Sequence, residues 1–232
     1  MTGRISSFQS LGTLDGPGVR FVAFLQGCDL ACGCCHNPET RGLTGGQEFT
    51  PAELLERVKR FKEYFGDTGG LTLSGGEPLL QPEFVAEVFA LCKNEGINTC
   101  LDTAGVPLTE SVRAALEVTD RVLLDIKYTN DEDYIKYAGC SISRPLEFLE
   151  YLKEREIPVT LRQVIIPTLN DSRENVLRLA AIRDEHKNVD KIELLPFKKL
   201  CATKYEALGI KFPFGHLPTP TAETMSELSA LL

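Results

Sequence analysis

The stretch Val19-Arg20-Phe21-Val22-Ala23-Phe24-Leu25-Gln26-Gly27-Cys28-Asp29-Leu30-Ala31-Cys32-Gly33-Cys34-Cys35-His36-Asn37 passes from a short apolar run straight into a loop crowded with thiols. Val19 to Leu25 is too short and too continuously apolar to be a surface element, so it predicts a strand buried on both faces. Cys28, Cys32 and Cys35 then follow in the pattern Cys-x3-Cys-x2-Cys. Three thiolates at this spacing suit a cubane of four irons. A tight loop wraps three corners, and the fourth iron keeps an open position that can bind a substrate directly and hand it an electron.

Two blander readings of the same cysteines compete. A structural zinc usually takes two separated Cys/His pairs, and here Cys92, Cys100, Cys140 and Cys201 stand singly. Cys34 could complete a four-thiolate set only if it and its neighbour Cys35 pointed the same way within a very short loop. A thioredoxin-like pair, Cys32 with Cys35, needs a helix starting on it, and the glycines and prolines after Cys35 do not read as one.

Outward from this stretch, short apolar runs alternate with amphipathic segments as far as about residue 195, the signature of repeated strand-helix units. Six strands are expected: Val19 to Leu25, Leu71 to Ser74, Ile97 to Leu101, Arg121 to Ile126, Val159 to Ile166 and Lys191 to Leu195. Thr50-Pro51-Ala52-Glu53 offers a capping box with proline at the first helical position. Further helices are expected over Pro82 to Asn94, Thr109 to Glu117, Pro145 to Arg155, Arg173 to Glu185 and Thr221 to Leu231. Six units do not close an eightfold barrel. The expected fold class is therefore α/β, a partial (β/α)6 barrel of parallel strands with outer helices, or an open parallel sheet, with its active face at the carboxyl ends of the strands.

Composition narrows the setting. A chain of 232 residues that is 43% hydrophobic can bury one substantial core, and no linker divides it, so residues 1–232 are expected to form a single domain. Met1 to Phe8 has no apolar signal region, and no apolar run approaches the roughly 18 residues of a membrane span. Eight cysteines without secretory signals point to a reducing, cytoplasmic setting, and an exposed cluster to an oxygen-poor one. A net charge of -8 with no basic block argues against nucleic-acid binding.

The active-face expectation can be tested within the sequence, because polar and glycine-rich segments should follow the strands. Cys28 follows the first strand, Ser74-Gly75-Gly76-Glu77-Pro78 the second, and Asp102-Thr103 the third. Asp125-Ile126-Lys127 follows the fourth and Leu195-Pro196-Phe197-Lys198 the sixth. Any one of these is an ordinary loop start. Together with a three-cysteine loop on the same edge they describe a site.

Further segments extend the pattern: Gly3-Arg4-Ile5, Asp15-Gly16-Pro17-Gly18-Val19-Arg20, His36-Asn37-Pro38, Cys100-Leu101-Asp102-Thr103, Leu124-Asp125-Ile126-Lys127, Arg162, and Ile192-Glu193-Leu194-Leu195-Pro196. In these residues and the cysteine loop the chain resembles the radical S-adenosylmethionine (SAM) enzymes and, within them, the glycyl-radical-enzyme activases. The resemblance covers nearly the whole chain. It implies one 4Fe-4S cluster on Cys28, Cys32 and Cys35, whose open iron chelates the methionyl amino and carboxylate groups of SAM. Electron transfer then breaks the sulfur-carbon bond, and the 5'-deoxyadenosyl radical abstracts hydrogen from a backbone glycine of a protein partner. Glycine suits this role because no side chain blocks its Cα.

The resemblance also assigns residues. Gly75 and Gly76 would let backbone approach the methionyl amino group with no Cβ in the way, and Glu77 would contribute charge or brace the loop. Lys127 would contact the methionyl carboxylate or the substrate peptide. Asp102, Thr103, Asp125 and the Leu123 carbonyl match the positions that hold a monovalent cation, sodium or potassium. Arg162, a lone charge in the apolar fifth strand, is expected to face inward toward the cofactor carboxylate. Asp15 would touch the substrate backbone, and His36 and Ile126 would lie against the cofactor.

Two departures stand out. The residue before the third cysteine is usually aromatic and packs on the adenine, whereas here it is Cys34. A histidine commonly follows Leu-Pro-aromatic near the sixth strand, whereas this chain has Lys198, which can donate to ribose hydroxyls but not accept. No cysteine lies between Cys35 and Ser74, where many activases carry a ferredoxin-like insertion, so a glycyl radical enzyme of the pyruvate formate-lyase type is the expected partner. A flavodoxin or ferredoxin type reductant and a monomeric state are further expectations. Against this stand a radical SAM enzyme acting on a small molecule and a zinc-stabilised interaction domain. Leu200 to Pro220, rich in Pro, Phe and Gly, could close the rim or leave it open.

Overall fold

The structure is a computed structural model describing residues 1–232, in which the chain divides into two compact units. The first comprises Met1–Asp29 and Thr40–Leu123, the second Leu30–Glu39 and Leu124–Leu232.

The first unit contains strands β1 (Gly3–Gly12), β2 (Arg20–Leu25) and β3 (Gln47–Phe49), helix α1 (Pro51–Lys59), β4 (Gly70–Gly75), α2 (Pro82–Asn94), β5 (Asn98–Thr103), α3 (Glu110–Glu117) and the start of β6 (Arg121–Asp125). Its strands run in the order β3-β1-β2-β4-β5-β6. β1 is antiparallel to both of its neighbours, while β2, β4 and β5 are parallel. Thr50 and Glu53 form the expected reciprocal capping box on α1. Helix α2 begins at Pro82 as expected and buries Phe84, Val85, Val88, Phe89 and Cys92. Cys92 is core filler.

The second unit contains the end of β6, then α4 (Asp131–Ala138), α5 (Ser143–Glu154), β7 (Val159–Ile165), α6 (Arg173–Glu185), β8 (Val189–Pro196), α7 (Ala202–Ala207) and α8 (Ala222–Ser229). Its strand order is β6-β7-β8, with β7 and β8 parallel. Helix α6 spans the expected residues and is capped by the Ser172 hydroxyl, which accepts from Asn175 N.

All six expected strands are present, but the count is eight. β1 was not expected because Gly3–Gly12 alternates only weakly. It buries Ile5 on one side and leaves Ser7, Gln9 and Ser10 toward solvent, as an antiparallel strand with one wet face can. β3 has only three residues, too few to show a period. β3 and β8 each have a neighbour on one side only, so the strand order has two free ends. No helix is long and apolar enough to cross a membrane.

One charged side chain holds the first unit in register. Arg20 is 0% exposed, although it was read as part of an apolar strand. Its Nε donates to Thr72 Oγ1 at 2.6 Å, and one terminal nitrogen donates to Leu71 O at 2.7 Å and Asn98 O at 3.2 Å. The other donates to Pro17 O, Thr68 O and Asn98 Oδ1 at 3.1 to 3.2 Å. Burial lowers the Arg20 pKa, but guanidinium keeps its proton, and every donor direction meets an oxygen.

Replacing Arg20 with alanine strands these acceptors in the interior. Urea unfolding should show a loss of about 3–5 kcal/mol. Arg20→Lys should recover only part of it, since an ammonium cannot reproduce the fork.

Candidate active site

In the first unit the three parallel strands start level, with Arg20, Gly70 and Asn98 as aligned partners, and each is six residues long. Their carboxyl ends therefore emerge together, and backbone hydrogen bonds join the loops there. Gly76 N donates to Leu25 O at 2.9 Å, Glu77 N to Gly27 O at 2.7 Å, Gly27 N to Thr40 O at 2.7 Å and Cys28 N to Arg41 O at 3.3 Å. The root of Cys28 is thus held by the Gly75–Glu77 turn on one side and by residues 40–41 on the other.

These contacts explain the two glycines more directly than room for a cofactor does. A Cβ on Gly76 would stand 2.0 Å from the Gly27 carbonyl oxygen, and Gly75, at φ 117°, would put one 2.4 Å from Leu25 N. Glu77 braces the loop. It is 1% exposed and accepts from Leu79 N at 3.1 Å, Thr103 Oγ1 at 2.7 Å and Ala104 N at 2.9 Å. Thr103 donates to Glu77 and accepts from Gly105 N, so its hydroxyl has one lone pair left. Asp102 accepts from the Ser74 hydroxyl at 2.7 Å, and Leu123 is buried within β6. Asp15 offers its carbonyl to Thr72 Oγ1 at 2.6 Å.

In the second unit Cys32 and Cys35 lie on a turn in which Cys35 N donates to Cys32 O at 3.3 Å. The end of α4 grips this turn: Ala31 N donates to Ala138 O at 2.9 Å and Gly33 N to Tyr137 O at 3.3 Å. The segment after β8 grips it from another side. Tyr205 Oη donates to Cys35 O at 3.2 Å, and Lys204 Nζ reaches Asn37 Oδ1 and Glu39 Oε1. Phe214 lies on Gly33, where a Cβ would meet the ring at 2.5 Å. His36 Nε2 stands 3.0 Å from the Lys198 carbonyl. A carbonyl only accepts, so Nε2 donates, and Nδ1 is the free acceptor of the neutral ring. The Lys198 side chain is exposed. Cys34 packs with the apolar cluster of Ile166, Phe197 and Phe214, and burial pushes its thiol up to about 12.

Three charged groups gather where the end of β6 meets the middle of β7. Lys127 Nζ donates to Asp125 Oδ2 at 2.5 Å, and Arg162 Nε is 3.7 Å from Asp125 Oδ1. Ile126 N donates to Arg162 O at 2.9 Å, which ties the residue after β6 to the middle of β7. Burial opposes ionisation of Asp125, but Lys127 and Arg162 outweigh it and hold the carboxyl below its ordinary value. Burial likewise opposes the Lys127 ammonium, but the Asp125 carboxylate outweighs it and holds the pKa well above normal. The trio thus carries one net positive charge at neutral pH.

The donor set fits an iron-sulfur cluster. Cys28, Cys32 and Cys35 are half-buried, form no disulfide and lie outside regular secondary structure. No three His, Cys, Asp or Glu side chains already converge at metal-binding distance, so the ligand set rests on spacing and donor type. Tyr205, Lys204 and α4 were not singled out from the sequence. For α4 a signal existed: Asn130 caps Asp133 N, acidic residues fill the first turn, and Gly139 ends the helix at φ 90°. Nothing in the sequence around Tyr205 marks it as a contact of Cys35.

Comparison with known proteins is consistent from end to end. The family model described as the Radical SAM superfamily matches residues 22–180. The chain is 44% identical over 231 residues to the pyruvate formate-lyase-activating enzyme of Clostridium pasteurianum, spanning 99% of this chain and 97% of that protein. It is 42% identical over 236 residues to the pyruvate formate-lyase 1-activating enzyme of Escherichia coli, spanning 99% and 95%. Among solved structures, a radical SAM methyltransferase from Sphaerobacter thermophilus superposes with a TM-score of 0.64 at 18% identity, covering 92% of this chain and 63% of that one. A domain of a pyruvate-formate lyase-activating enzyme from Bacteroides vulgatus gives 0.59 at 23%, covering 71% and 92%. These two likenesses speak for the fold.

A carboxylate held below its ordinary value stabilises the fold at pH above its unfolded value of about 4, and that contribution is lost as pH falls through the lower folded value. The gap in Tm between wild type and Asp125→Asn should therefore be largest near neutrality and close as the pH drops below about 4. Thermal unfolding followed by circular dichroism across this range measures it.

Proposed function

This chain belongs to the radical SAM superfamily and, within it, to the pyruvate formate-lyase-activating enzymes, and from that premise we propose that it generates a glycyl radical on a partner enzyme of the pyruvate formate-lyase type. The carrying observation is the Cys28-Cys32-Cys35 run at the carboxyl end of β2, in a chain similar to named activating enzymes over 99% of its length. We take residues 1–232 to act as one radical SAM domain, because the matched region crosses from one compact unit into the other.

Family membership implies a 4Fe-4S cluster and SAM. In our reading Cys28, Cys32 and Cys35 hold the cluster. Held there, the cluster would supply one electron to SAM, which would leave as methionine and, after taking one hydrogen atom from the partner's glycine, as 5'-deoxyadenosine. The chain's own residues prepare that event. Gly75, Gly76 and Glu77 fix the loop behind Cys28, so that the first thiol is offered from a rigid root. Lys127 and Arg162, partly neutralised by Asp125, present net positive charge suited to the methionyl carboxylate. Ile126, between Asp125 and Lys127 in sequence and fully buried, is read as lying against the cofactor. His36 Nδ1 offers an acceptor and the Lys198 ammonium a donor to the nucleoside's polar groups.

A monovalent cation, sodium or potassium, is proposed beside Asp102, Thr103, Asp125 and the Leu123 carbonyl. Oxygen donors suit such a hard ion, though Thr103 brings only one free lone pair. We further propose a monomer reduced by a flavodoxin or ferredoxin type donor, working in the cytoplasm.

Anaerobic metal analysis should find about four irons and four sulfides per chain. Mixed with reductant, SAM and pyruvate formate-lyase, that sample should give the doublet of a glycyl radical in electron paramagnetic resonance. An intact cluster without the doublet would sink the partner assignment. Cys28→Ala should abolish SAM cleavage while leaving the far-ultraviolet circular dichroism unchanged.

A further inference from the structure

The segment from Lys198 to Lys211 carries four lysines against one carboxylate, Glu206, in a chain whose net charge is -8. It also leaves three large aliphatic side chains in water. Leu200, just before α7, is 77% exposed, and Leu208 and Ile210, just after it, are 45% and 46% exposed. Single apolar residues at a surface are ordinary, but several on one short basic segment mark a place where another molecule sits. Local charge of the sign opposite to the whole selects an acidic visitor and steers it here.

The inner side of the same segment is fixed to the cysteine turn. Cys201 and Tyr205, one helical turn apart, are each 2% exposed. Tyr205 Oη donates to Cys35 O at 3.2 Å, and its ring stacks on Phe212 at 4.6 Å and 23°. Lys204 Nζ holds Asn37 Oδ1 at 2.8 Å and Glu39 Oε1 at 2.5 Å, while Lys199 Nζ donates to Gly215 O at 2.9 Å. These two ammonium groups serve the protein itself, whereas Lys211 is exposed beside Ile210. One aromatic ring and one hydrogen bond thus link α7 to the backbone of Cys35.

We propose that Leu200, Leu208, Ile210 and Lys211 form the docking surface for a small acidic protein that carries one electron, and that the electron enters on the Cys35 side. The donor is oxidised by one electron and the metal centre held by Cys35 is reduced by one. The proposal rests on the iron-sulfur function above and names the surface that its reductant uses. A carrier must leave after each delivery. A few aliphatic side chains with charge beside them suit the weak interfaces of electron-transfer encounters, below about 1,200 Å², whereas a permanent subunit needs a larger and more apolar area.

The anaerobically reconstituted holoenzyme is mixed with reduced flavodoxin or reduced ferredoxin and rapidly frozen, and the electron paramagnetic resonance signal of the reduced cluster gives the rate. Dithionite is the control reductant, since it needs no docking surface. Leu208→Glu combined with Ile210→Glu should slow whichever carrier reduces the wild type about tenfold or more. The dithionite rate, the iron content and the far-ultraviolet circular dichroism should stay as in wild type. Lys211→Glu should slow the carrier at low salt and flatten the fall of its rate with added salt. A carrier rate unchanged in either variant would overturn the proposal, as would an equal loss with dithionite, which would mark damage to the cysteine turn. With dithionite as sole reductant, both variants should activate pyruvate formate-lyase as wild type does, and a loss there would overturn the proposal by assigning the surface to the glycyl radical enzyme. A wild-type holoenzyme reduced by dithionite but by neither carrier would overturn it too, and leave the proposed function standing. A reconstituted protein that holds no iron-sulfur cluster would overturn the proposed function itself.

Discussion

The buried guanidinium of Arg20 is the constraint on which the first unit depends. Three parallel strands of equal length deliver their loops to one level only if they start in step. Arg20 enforces that step by bonding to β4 through Leu71 O and Thr72 Oγ1 and to β5 through both oxygens of Asn98. A charge with no exposure is tolerable only when its donors are satisfied, so the residue discriminates sharply between the native register and any slipped one. Slipping by one residue would point Arg20 at the opposite face. The level ends then allow the short backbone bonds from Gly76 and Glu77 to Leu25 and Gly27, which fix the approach to Cys28.

The second unit reaches a similar end by different means. Its cysteine turn has no strand of its own and is held by helix ends and a C-terminal segment. α4 accepts from Ala31 and Gly33, Tyr205 donates to Cys35, and Phe214 covers Gly33. Rigid packing thus surrounds thiols whose own backbone is irregular. That combination lets a metal centre be positioned without demanding that its ligands belong to regular structure.

Much of this was legible from residue order alone, and the limits have physical causes. β2, β4, β5, β6 and β7 are short and apolar because both faces are covered, and such runs announce themselves. β1 is half-solvated, so its Ser and Gln positions hide it. Helix α2 was readable to its boundaries because proline opens it and Phe84, Val85, Val88 and Phe89 keep one face. At the site, the cysteines and the residues at strand ends were visible as chemistry. Their supports were not: Glu77 reads from the sequence as contributing charge or bracing the loop, and its partners Thr103 and Ala104 lie far from it along the chain. The bond from Gly33 N to the Tyr137 carbonyl joins residues far apart along the chain, a distance over which no local pattern reports.

The grip of α4 on the cysteine turn also limits which changes of length the chain can absorb. An α-helix turns by about 100° per residue, so a single residue inserted between Asn130 and Tyr134 would rotate the rest of α4 by that angle. It would also move the carbonyls that Ala31 and Gly33 need. Compensation would require the helix to start one residue earlier or Gly139 to take up the slack in its left-handed conformation. Beyond Gly139 the chain is tied back to the start of α4, where Asp131 Oδ1 accepts from Ser141 Oγ at 2.7 Å and from Ile142 N at 3.0 Å. Related chains should therefore keep the count from Lys127 to Ile142 intact.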